Sequence, residues 1–210
     1  MGGSKDPLRH KVRLTKGFWM GQYTVTQGEW MKLMRNGASR AQGSLYLPVD
    51  WVSWEDAVKF CDQLNVLEQR AGHVPVGYRY RLSTDAEWEY ACRAGSDGDF
   101  GGANEDFWCA DNSGGRPHEV GEMAPNPWGL YDMRGNVWQW CLDRWYDYPQ
   151  AGPDVTVNPI TTGKPESDSF CLRGGAWYYG RGWCSIPMRE RSPSIAGGYR
   201  GFRVVLGSGR

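Results

Sequence analysis

Twelve tryptophans and eleven tyrosines are distributed along this chain of 210 residues, which contains few aliphatic runs. Rings of this size can fill most of a core, and they pin irregular segments as readily as they pack helices and strands. The length suits one domain with a substantial core. We therefore expect a single loop-rich domain whose segments are held by aromatic side chains.

Charge and hydropathy exclude two classes of partner. The 24 basic and 24 acidic residues give a formal net charge of zero, so there is no electrostatic basis for binding nucleic acid or an anionic membrane. No apolar run approaches the roughly 18 residues that a membrane helix needs. The first residues do not form a signal peptide.

We expect residues 1–10 to be a leader or the remnant of a trimmed start, residues 11–206 to be the domain, and residues 207–210 to be a tail. The compartment stays unassigned, and cell-surface display requires that an anchor has been removed.

Six cysteines occur without any CxxC pair, which argues against a zinc ribbon and against a thioredoxin-type site. They are Cys61, Cys92, Cys109, Cys141, Cys171 and Cys184. Outside the cytosol they would form disulfides, and inside it they would be small buried hydrophobes. The spacing leaves both alternatives open.

Three segments predict short helices, because each begins with a capping box and continues with an apolar stripe. The boxes start at Thr26, Ser53 and Thr84. Alternating or apolar segments predict strands at Lys11–Leu14, Phe18–Thr24, Tyr78–Leu82, Asn136–Asp143 and Phe202–Leu206. Glycines among Asp and Asn indicate long ordered loops after Gly95. The predicted fold class is α+β with little regular structure.

Five motifs together resemble the formylglycine-generating-enzyme (sulfatase-modifying-factor) family. In chain order they are YTVT (23–26), YRLSTDAEWEYACRAG (80–95), WGLYDMRGNVWQW (128–140), RGGAW (173–177) and GFRVV (201–205). The resemblance implies a variant of the C-type lectin fold. The family includes copper-dependent oxidases that make formylglycine, iron-dependent sulfoxide synthases, and ligand-binding variable proteins diversified by retroelements.

Catalysis in the oxidases uses two close thiols in the loop after the RGGAW block, because soft thiolates suit Cu(I). Here that loop is several residues short and holds one cysteine, Cys184, while Tyr179 stands about where the first thiol is expected. The sulfoxide synthases need a three-histidine iron site, whereas His10, His73 and His118 are scattered. We therefore expect no catalytic residue. A formylglycine-generating oxidase and a degenerate family member with a fixed protein partner remain the alternatives.

Residues 177–200 resemble the variable region of the retroelement-diversified proteins, in which irregular positions alternate with a fixed frame. The frame comprises Arg173, Gly174, Gly175, Trp177, Cys184, Arg189, Pro193, Gly201, Phe202 and Arg203. The candidate surface between them comprises Tyr178, Tyr179, Arg181, Trp183, Ser185, Ile186, Met188, Glu190, Arg191, Ser194, Ile195, Tyr199 and Arg200. Tyr, Trp, Arg and Ser are the residues that paratopes use. A protein or other macromolecular ligand is expected there.

The resemblance also yields four structural expectations. Cys92 and Cys184 should lie within disulfide reach, leaving Cys61 as a buried free thiol. Tyr178, Tyr179, Arg181, Ser185, Ile186, Met188 and Tyr199 should form one exposed patch above buried Trp177, Arg189 and Phe202. Arg203 should pair with a buried carboxylate. Asp132, Asn136 and Asp143 could bind calcium, the one cofactor considered, but we favour the interpretation that they hydrogen-bond loop amides.

Overall fold

The computed structural model describes residues 1–3, 8–37, 39–41, 43–100, 107–148, 154–161 and 168–209. The three predicted helices are confirmed as α1 (Gln27–Met34), α2 (Trp54–Arg70) and α3 (Asp85–Arg93). At each start the capping hydroxyl accepts a bond from the backbone amide three residues on, and the carboxylate there accepts one from the cap's own amide. Three reciprocal caps of this kind explain why such short helices begin where they do.

The described strands form three small sheets. The strands are β1 (Val12–Arg13), β2 (Trp19–Met20), β3 (Tyr78–Leu82), β4 (Trp138–Arg144), β5 (Thr156–Val157), β6 (Ser169–Arg173), β7 (Arg189–Pro193), β8 (Arg200–Phe202) and β9 (Val204–Ser208). β1 pairs with β5, β9 lies between β2 and β3, and the third sheet has the order β7-β6-β4-β8. In that third sheet β4 runs antiparallel to β6 and parallel to β8. Residues 177–200 follow β6 of the third sheet, contribute β7 to that sheet and end where β8 begins.

Arg203 separates two strands where the sequence predicted one. The predicted strand Phe202–Leu206 divides because β8 belongs to the four-stranded sheet and β9 to the three-stranded sheet. At the crossing, the Arg203 guanidinium donates to the carbonyls of Gly21 (2.6 Å) and Gln22 (2.7 Å). The expected pairing with a buried carboxylate is therefore wrong. Burial lowers the pKa of Arg203 to about 10, and the nearby Asp132 charge only partly opposes this.

The core confirms the expectation of aromatic packing. Trp30, Phe60 and Phe202 contact one another on one side of the third sheet, with ring centroids 5.3–6.2 Å apart. On the other side, the fully buried Trp88 of α3 donates its indole N–H to Gln139 on β4 over 3.0 Å. Among the described residues, no helix has both the length and the apolar character needed to cross a bilayer.

Candidate ligand-binding surface

Arg173, at the end of β6, is the buried anchor below residues 177–200. Its guanidinium donates to Asp85, and to Glu89 over 2.7 Å. It also donates to the carbonyls of Ile186 (2.9 Å) and Met188 (3.3 Å). The two carboxylates, both on α3, compensate the buried positive charge. The same side chain therefore ties helix α3 to the loop that carries the candidate surface.

Gly174 and Gly175 turn the chain directly after this anchor, with φ of +96° and +76°. A Cβ on Gly174 would lie 2.7 Å from the carbonyl oxygen of Met133, and one on Gly175 would overlap Cys184. Both positions therefore require glycine for conformation and for space.

Three further contacts fix the loop that follows. Ser113 donates its hydroxyl to the carbonyl of Trp177 over 2.9 Å. The amide of Ala110 donates to the carbonyl of Tyr179 over 3.0 Å. Arg134 donates its Nε–H to the carbonyl of Cys184 over 2.9 Å. The path of the chain from residue 177 to residue 188 is thus held by side chains and amides of the loops beneath it.

Four rings of the candidate surface form an aromatic cluster, which we define as Tyr178, Tyr179, Trp183 and Tyr199. Tyr178 is 66% exposed and Trp183 is 44% exposed, while Tyr179 and Tyr199 are half-buried. Tyr179 touches both Trp183 and Tyr199, with centroids 5.7 and 5.3 Å apart. Tyr178 stacks on Tyr199 at 6.3 Å. The cluster is therefore continuous from residue 178 to residue 199.

Charged residues of the candidate surface lie beside these rings. The Arg200 guanidinium is 5.8 Å from the centroid of the Tyr199 ring. Burial raises the pKa of the neighbouring Glu190 carboxyl, and Arg200 partly opposes that rise. Arg181 lies 4.6 Å from the Phe107 ring and is exposed, as is Arg191. Aromatic rings, guanidinium groups and a carboxylate are thus available together at one surface.

Two residues of the predicted patch are not on the surface. Ile186 is fully buried. Its side chain packs with Trp88 and Cys92, and its backbone amide donates to the backbone carbonyl of Asp99. Ser185 is also buried, immediately after the short 3₁₀ helix Arg181–Cys184. The expected exposure of these two residues is wrong, because the chain must turn inward to present the Ile186 carbonyl to Arg173.

The remaining members of the candidate surface divide between surface and core. Met188 is half-buried and packs against the core cluster, and Ile195 is exposed. Ser194 donates its hydroxyl to Glu55. Of the three residues expected beneath the patch, Phe202 is fully buried and the Arg189 side chain nearly so, whereas Trp177 is half-buried.

Trp51 and Arg40 adjoin this region and were missed by the sequence analysis. Trp51 has a left-handed backbone, with φ of +57°, and its amide donates to the carbonyl of Gly197. Gly198 packs on its indole, and the Arg40 guanidinium lies 3.6 Å from its ring centroid. No local pattern indicates this contact, because it joins segments distant in sequence.

The predicted neighbourhood of Cys92 and Cys184 is wrong. Cys184 packs with Cys109 and Phe107, whereas Cys92 packs in a different cluster together with Ile186. All six cysteines lie in the described ranges, are buried and form no disulfide. Cys61 is buried as expected, and burial raises the pKa of its thiol to about 12.

The residues considered for calcium lie in two separate hydrogen-bond networks. Asp132 accepts from the amide of Gly121 (2.8 Å), and the Asn136 side chain bonds both backbone groups of His118. Asp143 accepts instead from the amides of Asp85 (2.7 Å) and Thr161 (3.0 Å). Oxygen atoms that already accept backbone bonds and do not converge on one point do not fit a shared cation.

The chain belongs to a known family with this C-type lectin-like α+β fold. The family model for the sulfatase-modifying factor enzyme 1-like domain matches residues 1–207, so the chain is a member of that family. Treponema denticola variable protein 1 superimposes with a TM-score of 0.84 at 28% identity, covering 98% of this chain and 90% of that one. The predicted fold class is therefore confirmed.

Curated relatives differ in what their names describe. A chaperone protein LppX from Paenibacillus barcinonensis is 27% identical, over 83% of this chain and 74% of that protein. The formylglycine-generating enzyme of Thermomonospora curvata is 30% identical, over 75% of this chain and 55% of the enzyme. The chain thus spans about half the length of that enzyme.

Proposed function

We propose that this is a non-catalytic ligand-binding protein that presents residues 177–200 as a diversified surface to a protein or another macromolecule. The observation that carries the proposal is the aromatic cluster, four rings linked by continuous contacts above a buried, charge-compensated anchor. Tyr and Trp bury large areas at low entropic cost, and Arg adds charge-assisted bonds. The likeness to a variable protein over nearly the whole chain supports this assignment.

The state of Cys184 supports the absence of oxidase chemistry. The thiol is fully buried, and burial together with the neighbouring Cys109 raises its pKa to about 12. A protonated thiol is a poor nucleophile, and the burial of Cys184 separates it from copper and substrate in solution. Tyr179 stands where the resemblance places the other thiol, and a phenol cannot replace it.

Diversification is tested by sequencing codons 173–200 from many cells of one population. We expect changes at Tyr178, Tyr179, Trp183 and Tyr199, with invariant codons at Arg173, Gly174 and Gly175. A segment that is identical in every cell and every related genome would contradict diversification while leaving ligand binding open.

Ligand binding is tested with a phage-displayed random-peptide library panned on the immobilised protein. Tyr178→Ala and Tyr199→Ala should each weaken the selected peptides by at least about tenfold. The matched control is Tyr90→Ala, which removes another exposed ring that also contacts a neighbour, Trp128, at 5.0 Å. Loss of binding in Tyr90→Ala alone would place the ligand elsewhere and favour the fixed-partner alternative.

Formylglycine-generating oxidase activity is the second candidate, because a relative of that name is 30% identical to this chain. The test incubates the protein, loaded with Cu(I), with a cysteine-containing sulfatase peptide and oxygen, and measures aldehyde by mass spectrometry. We expect no aldehyde above the level of Cys184→Ser. Aldehyde that depends on Cys184 would establish the oxidase and refute the proposal.

A further inference from the structure

Cys141 on β4 and Cys171 on β6 face one another in the third sheet. The ladder pairs Gln139 with Arg173 and Trp140 with Leu172. The regular pairing ends there: Cys141 comes one residue after Trp140 on β4, and Cys171 comes one residue before Leu172 on β6. Both side chains are fully buried in the cluster that contains Trp88, so they point to the same face. Their sulfur atoms lie within 4.8 Å of each other.

This placement satisfies the requirements of a disulfide. The adjoining pair, Trp140 and Leu172, sets the two strands at antiparallel spacing, with Cα atoms about 4.5–5.5 Å apart. Disulfides span Cα separations of about 4.4–6.8 Å. Neither strand has to move far for the two sulfur atoms to bond.

We propose that Cys141 and Cys171 are a cross-strand disulfide site, oxidised by exchange with a small disulfide of the glutathione type when the chain folds in an oxidising compartment. One thiolate attacks the small disulfide and expels a small thiol, which leaves a mixed disulfide on the protein. The second thiolate then attacks the protein sulfur of that bond and expels another small thiol. Two protein thiols are oxidised, and the small disulfide is reduced to two thiols.

The bond forms before the sheet closes. In the folded chain both thiols are completely buried, and burial together with Cys171 raises the pKa of Cys141 well above its usual value. Exchange requires a thiolate with access to the small disulfide. The oxidation state of the pair is therefore set during folding and preserved afterwards.

The charges around the pair favour a disulfide over a metal ion. A carboxylate oxygen of Asp85 lies within 4.8 Å of both sulfur atoms, which is the spacing of a metal-ligand trio. That carboxylate is already engaged by Arg173 and by Arg189, the latter over 2.9 Å. A cation would therefore enter beside two guanidinium groups, whereas a disulfide adds no charge.

The experiment refolds the full-length chain from denaturant, either with reduced and oxidised glutathione or with a reductant alone. Free thiols are then blocked, and the protein is digested without reduction. We expect a linked peptide pair containing Cys141 and Cys171, about 2 Da lighter than the two thiols, only after oxidative refolding. The closed loop of about 30 residues should raise Tm by roughly 5–10 °C.

Two variants complete the test. In Cys171→Ser the linked pair and the Tm difference between the two refolding conditions should vanish. In Cys61→Ala, which removes another buried thiol, both should remain. Six alkylated cysteines after oxidative refolding, or a link only between Cys109 and Cys184, would overturn the proposal. A third result would also overturn it: the protein keeps one equivalent of zinc after passage through a chelator column, and no linked peptide forms when it is refolded with oxidised glutathione.

Discussion

The rings of Tyr179 and Tyr199 meet edge to face, with centroids 5.3 Å apart, although the two residues come from opposite ends of the variable-region candidate. Burial, followed by a hydrogen bond with Tyr199, raises the pKa of Tyr179 to about 12. The Tyr179 phenol therefore stays protonated at neutral pH and can donate a hydrogen bond. The contact brings the two ends of residues 177–200 together, so that one ligand can contact both ends.

Surface and core positions should respond differently to truncation. Tyr178→Ala and Trp183→Ala should each change the free energy of unfolding by about 0.5 kcal/mol or less, because both rings are exposed. Phe202→Ala should cost roughly 3–5 kcal/mol, because it opens a cavity beside Trp30 and Phe60. Urea denaturation measures both. Equal losses at Tyr178 and Phe202 would mean that the aromatic cluster is part of the core.

Arg173 should be the most costly polar side chain to replace. Arg173→Met leaves Asp85 and Glu89 buried without their main counter-charge, so the free energy of unfolding should fall by roughly 3–5 kcal/mol. The matched control is Arg79→Met, whose ion pair with Asp62 is exposed and should contribute less than about 1 kcal/mol. Comparable losses in the two variants would contradict the anchoring role.

Asp143 should make the protein less stable as pH rises. Burial, with a further contribution from the Asp85 charge, raises the pKa of Asp143 to about 7, against about 3.9 in an unfolded chain. The folded state therefore holds the proton more tightly, and that stabilisation is complete below about pH 4 and lost as pH rises towards 7.

Asp143→Asn tests this dependence by removing the titration. The difference in unfolding free energy between wild type and variant, measured in urea at several pH values, should decline from about pH 4 to about pH 7. A pH-independent difference would show that Asp143 has the same proton affinity in both states. Asp154→Asn, which makes the same chemical change at an exposed residue, controls for a change of charge alone.

Calcium should not alter stability, since Asp132 and Asn136 already bond backbone groups. We expect Tm to shift by less than about 1 °C between millimolar calcium and excess chelator, because a ligand that does not bind cannot stabilise. A calcium-dependent rise that disappears in Asp132→Asn would show that these oxygens bind the ion.

Local chemistry made much of the fold predictable. The capping boxes that begin at Thr26, Ser53 and Thr84 each predict a helix start from four consecutive residues. The predicted strand Tyr78–Leu82 has the same bounds in the structure. β6 was missed because all of Ser169–Arg173 is buried, so the alternation that marks a half-buried strand is absent.

The candidate surface was only partly predictable, because exposure depends on what a segment packs against. Ile186 belongs to a segment whose other candidate residues suggest a surface, yet Arg173 binds its carbonyl and its side chain enters the core. Trp51 reaches the surface from a segment far away in sequence. Neither effect has a local sequence signature.

The bonds that hold the loop end on main-chain oxygens: those of Trp177, Tyr179, Cys184, Ile186 and Met188. Every amino acid supplies a carbonyl, so the attachment is indifferent to the identity of the side chain it supports. A mutation at Tyr179 can therefore change the side chain that a ligand contacts without removing the backbone hydrogen bond that holds the loop. Such a scaffold allows its recognition chemistry to evolve separately from its ability to fold.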